Sequence, residues 1–444
     1  MVGSRAPVGP ERPPASIARI LAGRAVIGGR LQPVEVALGD DGSILSIGKV
    51  RRGAPRHDVG EAILLPAATD LHVHFREPGG SARVEDLASG TRQAILGGVA
   101  LVGEMPNTVP PVDDVERLEE KARRIPGRAA TDVLLYAGVG RPSALRRLAA
   151  RAGAFKVFLS PTTGVDEPPA ADVLPGLLRT LADLGLPVGV HAEDPMEFVA
   201  DPSPRSPAEW NRARPVRAEL AAVARLVPPP SGLRLHVAHV TSAAVVDRLR
   251  TAGVSFEATP HHLLLSDRSR PDAFGKVNPP LRDEGTRRAL WEAFARGDIP
   301  ILASDHAPHA RAAKEQPFAE APSGMPGTET MLPLLLARVR DGTLPLATLL
   351  QAACDRPARW LGRPHGRLAP GHRAHLLVVD FRRRVPISAD RLHAPAGWSA
   401  FEGLPAIFPR EVYFDGERVV QDGEYVGRPT GRVVRPEFAP GPGR

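Results

Sequence analysis

The chain has 444 residues, 43% of them apolar, with one cysteine, a formal net charge of +7 and a pI near 10.1. That length suits an α/β barrel of roughly 250 residues plus an appendage, and a lone Cys354 excludes an intrachain disulfide or a thiolate metal cluster. The basic residues are dispersed and only 5% of the chain is aromatic, unlike a nucleic-acid binder with its concentrated patch; a basic balance suits the steering of an anionic small substrate.

Residues 1–14 are rich in Pro, Gly and Arg without the apolar core of a signal peptide, so a disordered tail and a cytoplasmic, membrane-free protein are expected. Residues 15–63 hold short β-type runs broken by Gly28-Gly29 and Gly39-Asp40-Asp41-Gly42, which read as hairpin turns. Between 64 and 361 apolar strands alternate with helices. The strands are predicted at 65–75, 99–105, 132–139, 154–159, 187–192, 233–239, 254–259 and 299–304. Helices are predicted at 84–96, 115–124, 143–152, 171–184, 218–226 and 284–295, among others. Eight strand–helix repeats predict a (β/α)8 TIM-like barrel. Residues 362–444 return to short strands, with Asp415-Gly416 and Asp422-Gly423 as turns. Neither terminal segment can bury a sheet alone, so 15–63 and 362–444 are expected to pair into one small β-sandwich beside the barrel.

Polar clusters fall at the ends of these strands. The first ends in His72 and His74, with Arg76 next at the same two-residue spacing, which places all three on one face. Arg76 either forks a carboxylate there or forms a salt bridge with Glu77 or Asp86. Lys156 lies inside the apolar Ala154-Phe155-Lys156-Val157-Phe158, where an ammonium must be neutral, paired or modified. His191-Ala192-Glu193-Asp194, His236-Val237-Ala238-His239 and Asp305-His306-Ala307-Pro308-His309 follow later strands. Singly each could be a satisfied core histidine; together they supply four imidazoles, a carboxylate and a carbamate-forming lysine, a set that suits two divalent cations with a hydroxide between them.

Read in order, Asp70-Leu71-His72-Val73-His74-Phe75-Arg76-Glu77-Pro78-Gly79, Met105-Pro106-Asn107-Thr108, Phe155-Lys156, the three histidine clusters, Thr259-Pro260-His261-His262, Lys276-Val277-Asn278-Pro279-Pro280-Leu281-Arg282 and Pro322-Ser323-Gly324-Met325-Pro326-Gly327 resemble the motifs of the amidohydrolase superfamily, within it the dihydroorotases. The resemblance spans nearly the whole chain and follows the branch with a lysine bridge, since no Asp lies on the strand of Lys156. It implies a zinc-dependent, reversible cyclisation of N-carbamoyl-L-aspartate to L-dihydroorotate in pyrimidine synthesis. His72 and His74 would bind one Zn2+, His191 and His239 a second, and Lys156, as N6-carboxylysine, would bridge them together with a hydroxide. Asp305 would bind the first metal and carry the proton. Arg76, Asn107 and His309 would hold the substrate carboxylate, with Asn278, Pro322 and Gly324 also touching substrate. The loop 160–164 would close over it through Thr162 or Thr163, while His261 and His262 are expected to be structural. Homo-oligomers and association with aspartate carbamoyltransferase are compatible with the resemblance. Its rivals are a hydantoinase, dihydropyrimidinase or allantoinase, and a non-catalytic homologue that scaffolds aspartate carbamoyltransferase. The first needs no carboxylate clamp, and the second typically loses ligands that are all present here.

Overall fold

The computed structural model describes residues 15–438 apart from 51–53, 80–83, 163, 166, 201–202 and 271; the expected tail at 1–14 and Thr163 lie outside the described residues. Four strands come first: β1 (Ile17–Ile27), β2 (Arg30–Gly39), β3 (Ile44–Gly48) and β4 (Arg56–Pro66). Gly28 and Gly29, at φ +57° and +79°, supply the left-handed pair that a two-residue hairpin between β1 and β2 requires. The run predicted as one strand at 65–75 breaks at Ala67: its start finishes β4, and the rest becomes β5 (Ala68–Val73) of a different sheet.

From β5 the chain alternates with helices through β6 (Val99–Glu104), β7 (Asp132–Gly138), β8 (Ala154–Phe158), β9 (Pro187–His191), β10 (Arg234–Val237), β11 (Ser255–Ala258) and β12 (Ile301–Leu302). These eight strands are parallel and hydrogen-bonded in sequence order, the expected barrel. The seam between β12 and β5 is closed mainly by other means. His74 N–H donates to His306 O at 2.7 Å, and the buried Asp70 carboxylate accepts from Ser304 N–H and Thr328 Oγ1, both at 2.9 Å. Side-chain and loop bonds thus do the work of a ladder, so the strand predicted at 299–304 keeps only two ladder residues. The helix predicted at 143–152 is a 3₁₀ turn, Pro142–Ala144, and one short α segment, Leu145–Ala149, because the chain must turn through Gly153 into β8.

The strands that follow are β13 (Leu376–Val379), β14 (Val385–Pro386), β15 (Pro405–Ala406), β16 (Glu411–Phe414), β17 (Glu417–Gln421), β18 (Glu424–Tyr425) and β19 (Val433–Val434). The two chain ends do pair, β13 lying antiparallel to β4 with Leu377 opposite Leu65. Hydrogen bonding runs through all eight strands, β18-β17-β16-β13-β4-β1-β2-β3, and the start of β3 curls back to bond the segment just before β13. Period-two alternation gives its middle strands two apolar faces. Leu64, Leu376, Val378 and Tyr413 join a small core with Leu21, Val36, Leu38 and Ile44, whereas Leu65, Leu377, Val379, Val412 and Phe414 pack into the barrel's main core. That shared core fixes the sheet against the barrel. Among the described residues no helix is long and apolar enough to cross a membrane.

Candidate active site

The carboxyl ends of β5, β8, β9 and β10, with the segment after β12, bring His72, His74, Lys156, His191, His239 and Asp305 to one end of the barrel, the end where such folds place chemistry. Asp305 Oδ1 lies 3.3 Å from His72 Nε2 and 3.2 Å from His74 Nε2, and these three ligand atoms fall within 4.8 Å of one another. Lys156 Nζ is 3.4 Å from His72 Nε2, and His191 Nδ1 is 3.0 Å from His239 Nε2. Of the five described non-glycine residues with positive φ, Asp415 and Asp422 sit in Asp-Gly hairpin turns; the other three are Arg76 (63°), His239 (37°) and Asp305 (46°). Backbone held there costs roughly 1–3 kcal/mol per residue and clusters at functional sites. Arg76 accordingly reaches the site from a turn past β5, not from a continued strand face.

Behind the rings stand two buried glutamates that the motif reading passed over. Glu257, on β11, accepts from His72 Nδ1 at 2.6 Å and from His236 Nε2 at 2.9 Å. Glu193 accepts from His191 Nε2 at 2.8 Å and is clamped by Arg214 at 2.6 Å. Burial opposes their charge, but His72 and His236 more than offset it for Glu257, and Arg214 and His191 do so for Glu193, so both carboxyls lie well below the usual range. Each anion therefore fixes one ring proton and leaves the opposite nitrogen's lone pair facing the site. Burial, then Lys156, brings His72 down to about 4. His74 and His239 are also held neutral by burial. Lys156 is 1% exposed, and burial draws its ammonium down to about 8, against the pull of Glu257 and Asp305. Its neighbours in register on β7 and β9 are Gly138 and Gly189, so neither adjacent strand puts a side chain at its level.

The ligand-competent rings and Asp305 line a small cavity of about 40 Å³, whose wall also carries Arg76, Asn107, Asn278 and Gly324. Phe158, Thr162, Ala307 and Ser323 complete it; Thr162 was an expected contact, and Ser323 belongs to the loop 322–327 expected to lie against the ring. A larger cavity of about 980 Å³, with Lys156 on its wall, adjoins it across Asn107 and Phe158. Arg76 has no salt bridge to Glu77 or Asp86, which pair with Arg128; its Nε donates to Pro308 O at 3.1 Å, and its Nη2 lies 3.2 Å from His309 Nε2. Burial and Arg76 push His309 down to about 2, so the ring is neutral. Gly324, at φ +136°, admits no side chain: a Cβ would lie 2.5 Å from Ala307 O and 3.1 Å from His309 Nε2. Pro322 is not on the cavity wall among the described residues; its carbonyl turns to Lys314. Three further buried histidines are engaged by other protein groups. His306 bonds Glu85 and accepts from Gly327 N–H, and His236 is held by Ser255 and Glu257. His262 sits between Thr259 Oγ1 and Pro279 O.

The Amidohydrolase family profile matches residues 63–426. The chain is similar to a protein of Halobacterium salinarum named dihydroorotase, 38% identical over 383 residues that cover 84% of this chain and 89% of that one. A protein of the same name from Methanosarcina acetivorans is 35% identical over 446 residues, 93% of each chain. Among solved structures, the L-hydantoinase (dihydropyrimidinase) of Arthrobacter aurescens matches with a TM-score of 0.86 at 25% identity, over 95% of this chain and 100% of that one.

Proposed function

The chain belongs to the amidohydrolase family, and we propose from that membership that it is a dihydroorotase, a hydrolase of cyclic amides that interconverts N-carbamoyl-L-aspartate and L-dihydroorotate in pyrimidine synthesis. One observation carries the reading: Arg76, Asn107 and Asn278 share a cavity wall with four imidazoles and Asp305. A planar guanidinium beside carboxamides suits a carboxylate, and the ring carboxylate is what separates dihydroorotate from dihydrouracil or hydantoin.

The donor set fits divalent metal. Two imidazole nitrogens face one carboxylate oxygen, and His72 and His191 already donate their other ring N–H to buried glutamates. We assign His72, His74 and Asp305 to one zinc, His191 and His239 to a second, and Lys156, as N6-carboxylysine, to the bridge. The lowered Lys156 ammonium supports this, because only the free amine adds CO2. When bound, the metals supply an activated water and polarise the amide carbonyl. Asp305 takes the proton of the attacking water and delivers it to the ring nitrogen as the C–N bond breaks. Arg76 and Asn107 hold the ring by its carboxylate, with His309 beside them, while the backbone of Ser323 and Gly324 lies against the ring.

The likeness to L-hydantoinase supports a second reading, a hydantoin or dihydropyrimidine amidase, which needs the same metal ligands but not Arg76. Relative turnover decides between them. Purified protein is expected to act on dihydroorotate at least about 100-fold better, in kcat/KM, than on hydantoin or dihydrouracil, and Arg76→Ala should erase that preference. Equal or reversed preference would assign the chain to the second reading.

A further inference from the structure

Five of the chain's 57 Lys and Arg residues are lysine, and four of those five, Lys121, Lys156, Lys276 and Lys314, are buried. Arginine serves nearly everywhere else, so, Lys156 apart, the buried lysines mark places where a compact cation with several donors is needed: Lys121, Lys276 and Lys314 each donate to more than one oxygen. Lys276 Nζ donates to Phe318 O (2.7 Å), Ala319 O (3.0 Å) and Ala321 O (2.8 Å). Lys314 Nζ donates to Pro322 O (2.8 Å), Gly324 O (3.0 Å) and the carbonyl of Lys276 itself (3.2 Å). Neither has a carboxylate within ion-pair distance among the described residues. Carbonyl dipoles balance both charges instead, aided by the faces of Trp210 and Phe318, 5.0 and 5.1 Å from Lys276 Nζ, and of Trp398, 5.6 Å from Lys314 Nζ.

The consequences reach the cavity. With the carbonyls of Pro322 and Gly324 drawn to Lys314, that of Ser323 alone is left toward His309, 2.9 Å away. The two tryptophans extend the same frame. Trp210 Nε1 donates to Asn278 Oδ1 at 3.0 Å, and Trp398 Nε1 donates to His309 O at 2.8 Å. We propose that Lys276 and Lys314 are positioning residues: the two ammoniums wind the segment 318–324 about themselves and, through Trp210 and Trp398, set Asn278, Ser323 and Gly324 on the cavity wall, with His309 bonded behind them, as one unit. The proposal rests on the dihydroorotase reading for the identity of the substrate, not for the clamp. A guanidinium does not substitute, because its planar fork cannot converge on three carbonyls around one point.

The test compares Lys314→Arg, Lys314→Met and Lys276→Arg with the parent by metal content, steady-state kinetics on dihydroorotate, and hydrogen–deuterium exchange. Metal content should be unchanged, KM should rise about 10–100-fold with a smaller change in kcat, and exchange protection should be lost over 318–326 but kept in the barrel strands. Parent-like KM and parent-like protection in Lys314→Arg would overturn the proposal, as would loss of protection throughout the molecule. If the parent itself does not turn over dihydroorotate, the functional reading fails, and the exchange data still decide whether the clamp exists.

Discussion

At the scale of single residues, two of the site's four rings, His72 and His191, have their protons assigned by carboxylates behind them. Asp305 differs from those carboxylates in facing two imidazoles from within the cavity, on strained backbone at φ 46°. That placement suits the proton-carrying role proposed for it. Asp305→Asn should therefore lower kcat by about 10²–10⁴-fold with a far smaller change in KM, read from saturation kinetics on dihydroorotate; turnover within a few-fold of the parent would remove the proton-transfer role. His72, His74 and Asp305 were legible in the sequence because two-residue spacing and strand ends announce a shared face. Glu257 was not. It occupies a four-residue strand, and His72, the ring it fixes, lies 185 residues away, a pairing that only the closed barrel creates. Pro322 shows the opposite failure: it belongs to a loop that does meet the cavity, but its carbonyl is claimed by Lys314.

Among elements, the turn after β5 shows how local chemistry aims a side chain. Just past Arg76, Glu77 accepts from Leu87 N–H, Arg124 and Arg128, and Asp86 caps the helix Leu87–Leu96 in a reciprocal pair with Ser89. Burial alone would raise the Glu77 carboxyl, but the bonds from Arg128, Arg124 and Leu87 lower it below the ordinary value. A carboxyl lowered in the folded state stabilises fully above its unfolded pKa of about 4.3, and that contribution is lost as pH falls through the folded value. Glu77→Gln should thus cost about 2 kcal/mol in denaturant unfolding at pH 7 and progressively less below pH 4.5. A cost independent of pH would show that shape, not charge, holds the turn. Strand positions were legible from apolar runs, but two outcomes were not. The break at Ala67 is silent because both sheets want the same apolar residues. The short β12 reflects a seam closed by Asp70, whose role depends on Ser304 and Thr328, more than 230 residues on.

Over the whole molecule, the barrel and its appended sheet are joined by alternation: β4, β13 and β16 send one set of side chains to each core. The sequence made the pairing of the chain ends legible, since neither end could bury a sheet by itself; it left open that the strands would join one continuous sheet. The same global closure brings five separate segments, those of His72, Lys156, His191, His239 and Asp305, to one place, and the account stands or falls on that centre holding a metal pair through Lys156. The most direct measurement is elemental analysis of the purified protein and of Lys156→Ala, each paired with a folding check by circular dichroism. The account predicts about two divalent ions per chain in the parent and loss of the pair in the folded variant. A parent that carries no divalent metal, or a Lys156→Ala protein that keeps the full complement, would contradict it.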